Sequence, residues 1–291
     1  MKRIFKEAGL QKLFDRDGYV VVDFLDEKEI DHLLHVHHTF GNCLQGDFAA
    51  SLLIHDEQYR KIVHQEVKSI FDEKIQQILV DHRFCSCGYV IKKALSPESE
   101  LQIHQDWSFV DEVRFTSLGV WCPLVDVNKQ NGCLRVVAGS HRLNTKPRGQ
   151  VTPIPYRNLF STIDLKYLTH IPMKAGQAML QSQQLFHGSV SNLSAYERVA
   201  AYGVLVPTVA TLLFYYQDLQ NYPEKLEVFE VDEDFYVRYV PGTFKVDNES
   251  VTRYVPGTRP VGLKSLGLID YEFEPITAER LQQNCSLTRA D

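Results

Sequence analysis

Two textures of apolar patterning divide the chain. Over roughly the first 80 residues, hydrophobic positions recur at helical spacing. Gln58 to Leu79 interleaves apolar residues with Glu66, Ser69, Glu73 and Gln77, which predicts an amphipathic helix. Ahead of it, Leu13 to Ile30 reads as a helix end, a turn at Asp17-Gly18, a short apolar strand from Tyr19 to Phe24, and a new helix. Asp26 followed by Glu29 forms a capping-box-like start for that helix, which continues through Leu33, Leu34 and Val36. From Arg83 onward the pattern changes to short runs of Val, Ile, Phe and Tyr broken by Gly, Pro, Asn and Ser, the spacing of a sandwich or jelly roll. Predicted strands are Gly88 to Lys92, Ser117 to Pro123, Cys133 to Val137, Ala178 to Gln181, Val199 to Val206 and Phe235 to Tyr239, with a hairpin-type turn at Asn131-Gly132. No Gly/Ser-rich linker interrupts the chain, and the Val-Pro-Gly-Thr shared by 240–243 and 255–258 is too short to define a repeat. A single unit over 1–291 is therefore expected: a mainly helical part at 1–82, a β core at 83–210, and an extension at 211–291 packed on that core.

Composition narrows the partners. With 291 residues, 44% hydrophobic and 23% charged, the chain has the make-up of a folded globular protein. A net charge of −6 leaves no basic footprint for neutralising phosphates, so nucleic acid is not an expected partner. No apolar run approaches the roughly 20 residues needed to cross a bilayer. The first residues mix Lys2, Arg3 and Lys6 with Glu7 and lack the apolar core of a secretory signal, so the expected compartment is the cytoplasm. Six cysteines are then expected as reduced thiols. Cys85-x-Cys87 near His82 has no second pair at zinc-site spacing and reads as two thiols in or beside a strand. His32, His35, His37 and His38 crowd the second helix. Pairs one turn apart could in principle share a metal, but histidines on the polar side of a helix are the stronger reading.

The chemistry concentrates elsewhere. In an extended segment, His104 and Asp106 point to the same side, because side chains alternate with period two. With a second histidine, His187, they make a set of two imidazoles and one carboxylate. Such a set holds Fe(II) and leaves adjacent positions open, unlike a closed structural zinc site. A turn around Asn192 to Ser194 would bring Arg198 near His187, where its guanidinium could grip the far carboxylate of a keto-acid. Taken alone, Arg198 could equally pair with Glu197 or Asp218.

At these residues the chain resembles the phytanoyl-CoA dioxygenase family of Fe(II)- and 2-oxoglutarate-dependent oxygenases. The family's His-x-Asp is met by His104 and Asp106, its distal histidine by His187, and its cosubstrate arginine, eleven positions on, by Arg198. Asp17-Gly18-Tyr19-Val20, Asn131-Gly132-Cys133-Leu134 and Gly139-Ser140-His141 add to the likeness, which runs from near the start to the region of Pro207. The resemblance implies a mainly β fold, a double-stranded β-helix of jelly-roll, cupin-like type braced by N-terminal helices. It implies Fe(II), 2-oxoglutarate and O2 as cofactor and cosubstrates, with release of succinate and CO2. It places Trp121 and Ser189 beside 2-oxoglutarate and gives Tyr89 a hydroxyl contact from a neighbouring strand. The bland alternatives are a core aromatic at Trp121, a turn cap at Ser189 and a half-buried sheet residue at Tyr89.

The implied reaction is hydroxylation of a small-molecule, lipid, amino-acid or peptide substrate. Desaturation or cyclisation would use the same iron site, and a non-catalytic metal and 2-oxoglutarate sensor is the alternative of another class. Halogenation is disfavoured, because iron halogenases of related fold lack the carboxylate that Asp106 supplies. Substrate identity and oligomeric state stay open. Arg142, Lys146 and Arg148 form a basic loop suited to an anionic substrate or to solvent. The segment from Arg142 to Leu165, rich in Pro and Gly, is expected to be a long loop over the iron mouth.

Overall fold

The computed structural model describes residues 3–44, 46–149, 152, 155–239, 259–260 and 262–285. Both Val-Pro-Gly-Thr segments lie outside them. Six antiparallel strands form the larger sheet, in the order β1 (Tyr19–Asp23), β8 (Gln177–Ser182), β5 (Leu118–Pro123), β10 (Arg198–Pro207), β3 (His82–Lys92) and β2 (Phe48–Ala50). Four more make a second sheet, ordered β4 (Leu101–His104), β9 (His187–Ser189), β6 (Leu134–Val137) and β7 (Leu168–Ile171). Trp121, Met179 and Ala200 of the first sheet pack with Leu134, Val136 and Ile171 of the second, closing one part of the space between them. The result is a jelly roll.

Helices brace the outer face of the larger sheet. In α3 (Glu57–Ile78), Tyr59, Val63, Val67, Phe71 and Ile75 are buried at four-residue intervals, one stripe of the helix. With Leu33 and Val36 of α2 (Glu27–Phe40) they pack on Tyr89, Ile91, Val120, Val199 and Ala201. The Asp26 capping box is present in both directions, with Glu29 N donating to Asp26 Oδ1 at 2.9 Å and Asp26 N to Glu29 Oε2 at 2.8 Å. α1 (Ala8–Asp17) ends at Gly18, whose φ of 83° is the left-handed conformation a helix stop favours. β1 and β2 lie within the first 82 residues, yet both are strands of the main sheet.

A third sheet, β11 (Leu213–Tyr216), β12 (Lys225–Glu230) and β13 (Lys264–Asp270), follows the jelly roll. Two expectations need correcting in the second half. Phe235 to Tyr239, predicted as a strand, contains the helix α5 (Phe235–Arg238). The rings of Phe235 and Tyr239 stack 13° from parallel with centroids 5.1 Å apart, an i,i+4 contact that an extended strand cannot make. Arg142 to Leu165 is not wholly loop, since α4 (Phe160–Lys166) begins inside it; residues 150, 151, 153 and 154 of that segment lie outside the described part. The last helix is α6 (Ala278–Asn284), and among the described residues no helix is long and apolar enough to cross a membrane.

Candidate metal centre

β4 and β9 are neighbours in the smaller sheet, and their register sets His104 directly opposite His187. The two imidazole centroids are 4.3 Å apart. β4 ends at His104, and Asp106 follows in unpaired backbone, fixed by Asp106 N donating to Gln183 O at 3.2 Å and by Arg148 Nε donating to Asp106 O at 2.8 Å. Asp106 carboxylate oxygens stand 3.7 Å from Nε2 of each histidine. The three side chains offer ligand atoms that all lie within 4.8 Å of one another, the one such group among the described residues.

Both rings are oriented the same way. His104 Nδ1 lies 2.8 Å from Gln102 O and His187 Nδ1 lies 3.0 Å from Leu185 O. A carbonyl can only accept, so each Nδ1 carries a proton and Nε2 is the ring atom turned toward Asp106. Desolvation in the cavity, helped by His187 alongside, lowers His104 to about 4 against the opposing pull of Asp106. At neutral pH that ring is an uncharged ligand.

The triad opens into a cavity of about 420 Å³ between the two sheets, within the usual size range of ligand pockets. Ser86, Val90, Gly119, Trp121, Gln181, Arg198 and Tyr202 line it from the larger sheet. Arg198 is 1% exposed and has no carboxylate partner. Its Nη1 donates to Val90 O at 2.8 Å, its Nε is buried with no partner, and its guanidinium lies 5.3 Å from the Trp121 ring centre. Burial pushes it down to about 9. A buried guanidinium with an unpartnered N–H has the chemistry to take an anion. The acid partners weighed for it are absent: Glu197 instead lies 3.0 Å from His37 Nε2.

A second buried cation stands beside it. Lys92 faces Arg198 across the β3–β10 pairing and donates to the carbonyls of Ser99, Ser189 and Val190 at 2.5, 3.2 and 2.6 Å. Burial, with Arg198 adjacent, pushes its ammonium down to about 7. Gly132 makes room for both, since a Cβ there would meet Lys92 Cδ at 2.9 Å and Arg198 Nε at 3.3 Å. The turn joining β9 to β10 carries the chain from one sheet to the other and is tied by Asn192. Its Nδ2 donates to Lys92 O, Lys93 O and Tyr196 O, while its Oδ1 accepts from Ser194 N and Oγ.

Of the remaining residues singled out in the sequence, Trp121 and Ser189 line the cavity. Tyr89 does not, and its expected contact is corrected: it lies on the outer face, fully buried, donating its hydroxyl to Leu33 O at 2.8 Å. Alternation along β3 turns Ser86 and Val90 inward and Tyr89 outward. The same strand separates Cys85 from Cys87. A bulge between Val204 and Leu205 leaves Cys85 unpaired, so the two thiols enter different apolar clusters. Arg148 is no solvated loop cation either; it is 6% exposed and bound to Glu112 at 2.8 Å. Among the helix histidines, His32 pairs with Glu66 of α3 at 2.9 Å.

Sequence reasoning missed Gln181, Gln183, Lys92, the Glu112–Arg148 pair and the aromatic wall of Trp107, Phe109, Tyr236 and Tyr239. Alternation with Met179 along β8, which places Gln181 on the inward side, is the one trace of that glutamine in the sequence. As a donor set, two imidazole Nε2 atoms and one carboxylate fit a divalent metal with open positions, and Arg198 fits the distal end of a dicarboxylate.

The sequence model described as phytanoyl-CoA dioxygenase matches residues 14–200. Phytanoyl-CoA dioxygenase 1 of Oryza sativa subsp. japonica is 33% identical over 103 residues, 35% of this chain and 37% of the relative. Phytanoyl-CoA dioxygenase domain-containing protein 1 of Danio rerio is 24% identical over 199 residues, 66% of this chain and 60% of its own length. Both matches span less than two thirds of the relative. Among solved structures, HygX from Streptomyces hygroscopicus with nickel and 2-oxoglutarate bound is 14% identical, with a TM-score of 0.50 over 70% of this chain and 88% of that one. At that identity the likeness is one of fold.

Proposed function

This chain belongs to the phytanoyl-CoA dioxygenase family, and on that premise we propose that it is an Fe(II)- and 2-oxoglutarate-dependent dioxygenase that hydroxylates an aliphatic C–H of a small-molecule, lipid, amino-acid or peptide substrate. The observation that carries the reading is the pairing, in one cavity, of three convergent ligands with an arginine that lacks its acid. His104, Asp106 and His187 would hold the iron. Arg198 would take the distal carboxylate of 2-oxoglutarate, with Trp121 against its guanidinium and Ser189 on the strand that carries His187. When bound, iron and 2-oxoglutarate supply the dioxygen-activating chemistry, with succinate and CO2 as products.

This chain's own residues orient and shield. The Gln102 and Leu185 carbonyls hold each neutral ring in the Nδ1–H tautomer, which leaves Nε2 as the atom for the metal. Arg148, neutralised by Glu112, holds the Asp106 backbone without competing for its carboxylate. Apolar and aromatic side chains make up most of the wall beside the reacting centre. The whole of 1–291 is read as one oxygenase unit, since Tyr236 and Tyr239 from the extension line the same cavity as the triad.

The test is succinate formation from 2-oxoglutarate under air by the protein loaded with Fe(II). Turnover dependent on both supports the reading. Binding of both without succinate, in the presence of candidate substrates, would instead favour the sensor.

A further inference from the structure

We propose that the cavity takes an uncharged, mainly apolar small molecule bearing one hydrogen-bond donor, a hydroxyl or an amide N–H, which the Gln183 carboxamide receives. This rests on the oxygenase reading above. Among the described residues, the acidic and basic side chains lining the cavity are His104, Asp106, His187 and Arg198, all assigned to iron or to 2-oxoglutarate. What is left for the substrate is neutral. Trp107, Phe109, Tyr236 and Tyr239 form an aromatic wall, with Phe109 and Tyr236 in edge contact at 4.7 Å. An acidic or phosphorylated substrate would need a cation, and the basic loop offers none. Arg148 is buried on Glu112, Arg142 donates to the carbonyls of Asp15, Arg16 and Asn284, and Lys146 is engaged by Glu272 O and Glu274.

Gln183 supplies the polar anchor. It is 1% exposed, and its Nε2 donates to Leu118 O at 3.3 Å, which fixes the amide orientation because a carbonyl accepts only from the NH2 end. Oε1 is thereby committed to be the free atom, and it is buried without a partner in a residue that lines the cavity. A buried acceptor in that state calls for a donor from a ligand. The position suits substrate, because the backbone carbonyl of Gln183 accepts from Asp106 N, next to the metal ligands. Gln181 is differently employed. Its Nε2 lies 3.1 Å from His187 Nε2, the atom the metal would take, so it belongs to the metal's surroundings.

The experiment uses the full chain with Fe(II) and 2-oxoglutarate under anaerobic conditions and follows the visible charge-transfer band of that complex. The probes are 2-(2-naphthyl)ethanol, 2-ethylnaphthalene, 2-naphthylacetate and decanoyl-CoA. The alcohol is expected to perturb the band and to bind about tenfold more tightly than 2-ethylnaphthalene, which has no donor, the scale of one net hydrogen bond. 2-Naphthylacetate and decanoyl-CoA are expected to bind more weakly still. In Gln183→Met the band persists and the preference for the alcohol disappears. Equal or tighter binding of either anion, an unchanged preference in Gln183→Met, or no response to any probe while the band forms would overturn the proposal. Absence of the band in the unmodified protein would instead sink the oxygenase reading itself.

Discussion

The two faces of the six-stranded sheet are made by the same strands and obey opposite rules. On the outer face, Tyr89, Ile91, Val120, Val199 and Ala201 are sealed by helices, and the one hydroxyl among them has its acceptor in Leu33 O. On the inner face, Arg198 Nε and Gln181 Oε1 are buried without partners, beside the equally orphaned Gln183 Oε1. An unpaired buried polar atom costs about 1–3 kcal/mol, so the inner face keeps hydrogen-bonding capacity that a bound ligand can use. The outer face determines whether the chain folds, and the inner face what it binds.

Mutations that separate these roles test the comparison. The largest effect is expected from Asp106→Ala, which should abolish Fe(II) binding and succinate formation while the melting temperature of the metal-free protein stays near that of the unmodified chain. A metal titration read against a thermal melt checks both, and full iron occupancy in the variant would break the assignment.

Phe71→Ala is the opposite case. Phe71 is fully buried against Phe24 and Phe84, so its truncation should cost about 3–5 kcal/mol in urea unfolding. The iron affinity of the fraction still folded should not change. A loss of affinity at full folding would mean that the faces are coupled.

Arg198→Ala should weaken 2-oxoglutarate binding by about 1.5–3 kcal/mol, roughly ten- to a hundredfold in Kd by calorimetry. Stability of the ligand-free protein should hold or rise, because a buried cation with no acid beside it is removed. Arg198→Lys should recover only part of the binding, since a point charge lacks the guanidinium fork. The smallest effect is expected from Tyr89→Phe: about 1 kcal/mol of stability for the lost bond to Leu33 O, and an unaltered 2-oxoglutarate affinity. A changed affinity there would return Tyr89 to the site.

The sequence made the jelly roll and the residues now found together legible because they sit in strong local patterns. His104 and Asp106 share an extended run, and Arg198 opens a long apolar strand one turn after His187. What escaped was set by facing direction or by distant partners. Tyr89 and Val90 are equal candidates in a list of β residues, and only the placement of the helices decides which of them looks inward. Phe235 to Tyr239 is too short a run for periodicity to separate strand from helix. Arg148 looked like surface because its acid, Glu112, lies 36 positions away. Gln183 stands out only once Leu118 O is known to hold its amide nitrogen.

The Asn192 turn has a metrological consequence. It joins the strand of His187 to that of Arg198, and its hydrogen bonds to Lys92, Lys93, Tyr196 and Ser194 tie it to the end of β3. Under the assignments proposed above, the turn would gauge the length of a keto-diacid: oxaloacetate, one methylene shorter than 2-oxoglutarate, and 2-oxoadipate, one methylene longer, are each expected to bind more weakly in calorimetry.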